Sequence, residues 1–136
     1  MQHKLSISCS KQNLSKIRQF VQQTLDLYQI SDVETHKLVL AVDEVCANLI
    51  IHANNCNATE LLELLIDVHP DKKIIFTIHD RGVGFDINKY KEPEIDEIVH
   101  SKRKGGLGLM LVKRIMDKIE FTTDNNQNVC RLVKLL

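Results

Sequence analysis

The chain has 136 residues and 43% apolar content, which suits one globular domain large enough to bury an ordinary core. Eighteen basic residues balance eighteen acidic ones, so no global field draws it to nucleic acid or to an anionic membrane. Six aromatics and no tryptophan leave little from which to build a stacking platform for single strands.

The opening residues Met1-Gln2-His3-Lys4-Leu5 lack the apolar stretch of a secretory leader. Runs such as Leu38 to Val42 are too short to span a bilayer. Four cysteines without a C-x-x-C read as buried, reduced thiols, and the expected location is the cytoplasm. Residues 2–9 alternate, with Leu5, Ile7 and Cys9 on one side, which predicts a half-buried strand. Ser10 stands as the N-cap of a first helix carrying Leu14, Ile17, Phe20 or Val21, Leu25 and Tyr28. A capping box, Ser31-Asp32-Val33-Glu34, opens a second helix with a stripe through Leu38, Val42, Val45 and Leu49. Leu61 to Val68 and Lys73 to His79 are β-rich runs joined by His69-Pro70-Asp71-Lys72, a hairpin.

All five glycines then fall between Gly82 and Gly108, concentrated where backbone bends unusually or approaches something closely. Residues 81–104 have no clean periodicity, and the stretch of about 86–104 reads as a functional loop or lid. A third helix is expected after Gly105-Gly106, through Leu109, Val112 and Ile115 to about Lys118. Two closing strands follow, near Ile119 to Thr123 and Asn128 to Leu136. This order predicts a single domain over residues 1–136, an α/β two-layer sandwich with a mixed sheet covered on one face by about three helices.

Three segments carry candidate chemistry. Glu44, Asn48 and His52 recur every four residues, a step of about 40° around a helix, so their polar groups form one line among apolar neighbours. Asp80 leaves the end of a strand ahead of Gly82 and Gly84, a carboxylate able to accept hydrogen bonds from an exocyclic amine. Lys102-Arg103-Lys104-Gly105-Gly106-Leu107-Gly108 precedes a helix whose free N–H groups and positive dipole end favour phosphate. Taken singly, these are also a wet helix face, a glycine turn and a hinge. Neither a Walker loop nor a Rossmann fingerprint is present.

In this order and spacing the three segments closely resemble the N, G1 and G2 boxes of the GHKL ATPase superfamily, the Bergerat-fold group. Leu-Ala-Val-Asp-Glu-Val-Cys-Ala-Asn (residues 40–48) and Gly-Gly-Leu-Gly-Leu-Met-Leu-Val (residues 105–112) are most similar to the anti-sigma-factor serine/threonine-protein kinases. The resemblance implies that Asn48 ligates Mg²⁺ and that Glu44 is general base towards a partner's hydroxyl or water. It implies that Asp80 accepts the adenine amine of ATP while Gly82 and Gly84 let the nucleotide lie close. Gly105, Gly106, Leu107 and Gly108 then cradle phosphate, with Arg103 or Lys104 near the γ-phosphate and His52 in support.

The implied activity is phosphorylation of a small anti-sigma-factor-antagonist-like protein, with a sigma factor or similar regulator as second partner. A homodimer is compatible, and neither nucleic acid nor membrane is a direct partner. A nucleotide-gated binding module without phosphotransfer is the alternative. One departure stands out. The family commonly opens its last strand with Gly-Thr, the threonine lying near adenine, whereas this chain reads Gln127-Asn128-Val129-Cys130.

Overall fold

The computed structural model describes residues 2–50, 61–80, 104–124 and 127–136. Alternation builds five strands: β1 (Gln2–Ser8), β2 (Leu61–His69), β3 (Lys73–Asp80), β4 (Lys118–Asp124) and β5 (Gln127–Leu135). They form one sheet in the order β1-β2-β3-β5-β4, and every pairing is antiparallel. The expected mixed sheet is therefore corrected to an antiparallel one. β3 and β4 run in the same direction, but β5 inserts between them, so the parallel pair never forms. Local periodicity reports which residues alternate and carries no record of which strand lies next to which.

The register puts the apolar residues on one face. Leu5 lies opposite Leu64, Leu64 opposite Ile78, Ile78 opposite Cys130 and Cys130 opposite Phe121. A second row runs Ile66, Phe76, Leu132 and Ile119. The other face is largely polar and carries ion pairs such as Lys4–Glu63 (3.2 Å) and Lys118–Glu120 (2.9 Å).

Among the described residues, three helices cover the apolar face: α1 (Leu14–Leu27), α2 (Asp32–Asn48) and α3 (Lys104–Ile115). α2 lies between the other two. Ile17, Val21 and Leu25 from α1, Leu38, Val42, Val45 and Cys46 from α2, and Val112 from α3 join the buried strand residues in one core. Burial of Phe76, Leu64 and Ile78 at zero exposure makes β2 and β3 the centre of that core.

The local signals mostly act as expected, with shifted boundaries. Ser10 caps a 3₁₀ turn, Lys11–Asn13, rather than α1 directly, by accepting from the Gln12 amide at 3.3 Å. Ser31 Oγ accepts from the Glu34 amide at 3.3 Å and so starts α2. α3 begins at Lys104 and takes Gly105 and Gly106 into its first turn, where N–H groups need no helical partner. It also stops earlier than the expected Lys118. The Met116 amide donates to the Val112 carbonyl (2.9 Å), and the Asp117 amide then donates to Val133 (2.9 Å), passing the chain to the sheet.

In the β2–β3 hairpin, Lys72 adopts φ 65°, a left-handed conformation at a non-glycine residue, and its amide donates to the His69 carbonyl at 3.2 Å. Among the described residues, no helix is long and apolar enough to cross a membrane.

Candidate functional site

The last turns of α2 carry the first wall. The cap at Ser31 and the stripe from Leu38 to Leu49 fix which side of this helix enters the core, and Glu44 and Asn48 lie at its margin. Asn48 is only 7% exposed. Its Nδ2 donates to the backbone carbonyl of Glu44, one turn earlier, at 2.8 Å. A carbonyl oxygen only accepts, so the amide must put its nitrogen there, and this fixes Oδ1 at the opposite end of the group. Just beyond, residues 49–50 continue as a wider π-type turn, a local widening that recurs at functional sites.

Burial, with a smaller contribution from the neighbouring Asp43 charge, pushes the Glu44 carboxyl above its ordinary value. Asp43 itself accepts from Arg18 Nη1 of α1 at 3.0 Å. A carboxyl raised in this way is a better proton acceptor when ionised than an ordinary surface glutamate.

The second wall is the end of the sheet. Asp80 is the last residue of β3 and is 2% exposed. Its cross-strand partner is Asn128, the second residue of β5, itself 5% exposed. Asn128 Nδ2 donates to Asp80 Oδ1 at 3.1 Å. The alternation of the strands puts both on the helix-covered face, in line with Ile78 and Cys130.

Two thiols are buried in the core beside these walls. Burial pushes the Cys46 thiol well up, with further contributions from Cys130, Asp43, Asp80 and Cys9. Burial and then the Asp80 charge push Cys130 up to about 12. Cys46 lies on α2 two residues from both Glu44 and Asn48, about 200° around the helix from each, and is buried in the core together with Cys130. Cys9, Cys46 and Cys130 are buried thiols, as their spacing suggested.

The structure places Glu44 and Asn48 at the end of α2, and Asp80 at the end of β3 on the sheet face that the helices cover. Lys104, Gly105, Gly106, Leu107 and Gly108 form the first turns of α3, whose body rests against α2. That helix end presents backbone N–H groups without helical partners, the arrangement that receives phosphate. His52, Gly82, Gly84, Arg103 and nearly all of the proposed lid lie outside the described residues.

Asn128 belongs to none of the three segments that carry candidate chemistry in the sequence. The signal that pointed to it was the absence of the expected threonine in Gln127-Asn128-Val129-Cys130. Its partner lies 48 positions earlier, a distance that no motif spans.

Among the described residues, no three histidine, cysteine or carboxylate side chains converge as a metal cage. Mg²⁺ fits the residues present in another way. It is commonly held by few protein oxygens together with substrate phosphates and water, and the orientation of Asn48 supplies one such oxygen.

Residues 7–134 match the histidine kinase-like ATPase domain. The chain belongs to that family. This agrees with the GHKL resemblance read from its three segments. The domain is 32% identical over 102 residues to a serine-protein kinase RsbW of Halalkalibacterium halodurans, covering 72% of this chain and 60% of that protein. It is 34% identical over 94 residues to an RsbW of Oceanobacillus iheyensis, covering 66% and 57%. The ATPase domain therefore spans about three-fifths of the length of the curated relatives it matches.

Solved structures show the same fold. The RsbU and RsbW domains of Rv1364c from Mycobacterium tuberculosis give a TM-score of 0.70 at 10% identity, covering 100% of this chain and 32% of that one. The SiaB–SiaC complex from Pseudomonas aeruginosa gives 0.68 at 13% identity, covering 96% and 88%.

Proposed function

We propose that this ATPase domain is an ATP- and Mg²⁺-dependent protein serine/threonine kinase. Its substrate is a small antagonist-type regulatory protein, and its second partner is a sigma factor or comparable regulator. One observation carries the reading: a single helix presents a raised carboxyl at Glu44 and, one turn on, an amide at Asn48 whose nitrogen is already engaged. Similarity to the RsbW serine-protein kinases supports the reaction class. The SiaB–SiaC neighbour, a complex of two proteins, supports action on a protein partner.

In this reading Asp80 receives the exocyclic amine of adenine, and the N-terminal turn of α3 receives phosphate. Asn48 Oδ1 would hold Mg²⁺, which supplies charge neutralisation at the phosphates. The Glu44 carboxylate takes the proton of a serine or threonine hydroxyl. The freed oxygen bonds to the γ-phosphorus as the bond to the ADP oxygen breaks. Such a transfer needs positioning and charge complementarity more than covalent help.

The test is incubation with γ-labelled ATP, Mg²⁺ and antagonist-type domains. Label stable on serine or threonine supports the kinase. Measurable ATP binding with no transfer to any antagonist supports the nucleotide-gated binding module instead. Absence of ATP binding overturns both.

A further inference from the structure

At the end of the sheet away from Asp80, a cleft of about 440 Å³ opens between the α1–α2 connection and the β2–β3 hairpin. Ile30, Val68, Pro70 and Leu136 make its walls mostly carbon, together with Tyr28. A volume of this size falls in the range of small-molecule sites, which are largely apolar with a few placed polar groups. β3 starts at Lys73 beside the cleft and ends at Asp80, roughly 24 Å away at about 3.4 Å per residue.

Two features keep the cleft open. Both rims are fixed by backbone hydrogen bonds. On one, Gln29 takes φ 57° as α1 ends, and the Ile30 amide donates to the Leu25 carbonyl at 3.3 Å. On the other, the Lys72 amide donates to His69, and the Lys72 carbonyl accepts from the Leu136 amide at 2.8 Å. The largest side chain of the lining is tied as well. Tyr28 Oη lies 2.8 Å from His3 Nε2 of β1, with the two rings edge to face. It cannot swing inward to fill the space without giving up that bond. A preformed apolar space of this kind demands little ordering when a ligand enters.

Charge narrows the ligand class. Lys72 brings an ammonium, and among the described residues no carboxylate side chain lines the cleft or pairs with that ammonium. His69 is engaged elsewhere, its Nε2 3.3 Å from Asp67 Oδ2. We propose that this cleft is a ligand site for a small amphipathic carboxylate, with the apolar body against Ile30, Val68 and Pro70 and the anionic head on Lys72 Nζ. A cationic ligand meets repulsion from Lys72, and an uncharged one gains nothing from it. The inference stands independently of the ATP reading, because no residue of the cleft belongs to that site.

The experiment titrates octanoate and octylammonium, which share an apolar chain and differ in the sign of the head, into isotope-labelled protein at neutral pH. Amide shifts are followed by NMR in the wild type and in Lys72→Asn, which removes the charge with a residue that tolerates positive φ. Thermal melting checks that each protein is folded. The expected result is saturable shifts at Ile30, Val68, His69 and Lys72 with octanoate, with a dissociation constant on the order of 1 mM. Octylammonium should bind about tenfold more weakly, and Lys72→Asn should weaken octanoate by about tenfold and abolish the difference between the two.

Equal binding of the two chains shows a generic apolar surface and overturns the proposal. So does unchanged octanoate affinity in folded Lys72→Asn, or the absence of saturable shifts at these amides by about 20 mM. If Lys72→Asn does not fold, folded Lys72→Gly decides in the same way. Shifts at the same amides that follow protein concentration without any ligand assign the cleft to a second copy of the chain, and they overturn the proposal too.

Discussion

Asn48 returns its side-chain nitrogen to the backbone carbonyl of Glu44 at 2.8 Å, so the amide is oriented by the helix that carries it. Asn48→Ala should lower Mg²⁺-dependent ATP affinity by about tenfold or more, the loss of about 1.4 kcal/mol expected for one good ligand contact. Asn48→Asp should keep an oxygen but lose the donor to Glu44. Titration of ATP with and without Mg²⁺ separates the two. Unchanged affinity in Asn48→Ala would remove this residue from the site.

Glu44→Gln should keep nucleotide binding and lose transfer by about 10²–10⁴-fold, the usual contribution of a positioned general base. The wild-type rate should fall as pH drops through the Glu44 value, which burial raises above that of an ordinary glutamate. The neighbouring Asp43 charge is the second cause of that rise, and Arg18 Nη1 lies 3.0 Å from Asp43. Asp43→Asn should therefore move the acid limb to lower pH, and Arg18→Gln should move it to higher pH. Profiles of transfer rate against pH for the three proteins check both signs.

The Cys130 thiol titrates near 12 in the folded protein against 9.0 for its ordinary value. Between those values the unfolded chain has lost a proton that the native state keeps, so stability falls as pH rises from about 9 to 12. The slope for one such thiol is about 1.4 kcal/mol per pH unit, and the contribution is intact below 9. Denaturant unfolding of Cys130→Val over this range should show a shallower decline than wild type. Parallel curves would show that another group governs alkaline stability.

Ser31→Ala removes the acceptor that starts α2 and should cost about 1 kcal/mol. Glu44 lies more than three turns further along and is held by the core, so ATP affinity should not change. A thermal melt together with a binding titration tests this separation of stability from site geometry. A matching fall in affinity would show that the whole helix shifts when its cap is lost.

The elements with a strong local pattern were legible in the sequence. Alternation marked β1, β2 and β3, and the capping box marked the start of α2. The four-residue spacing put Glu44 and Asn48 on one line, where the structure has them. The placing of β5 between β3 and β4 was not legible, because strand order follows from pairing over long separations. The contact between Asn128 and Asp80 was hidden for the same reason. Lys72 in a left-handed turn was hidden differently. Proline at 70 announced a turn, but the residue taking the positive φ is one with no preference for it.

Asp80 and Asn128 both belong to strands that have a hydrogen-bonded neighbour on each side, whereas β1 and β4 form the edges. Backbone amides in such interior strands exchange with solvent only through large-scale opening, whereas edge strands fray at lower cost. The wall proposed to read the base is thus carried by two interior strands, at the end where their pairing closes. Asp80 and Asn128 are set opposite each other by backbone pairing, so that contact needs no ordering on binding. Selection at that end becomes a matter of rigid fit rather than of folding around the ligand.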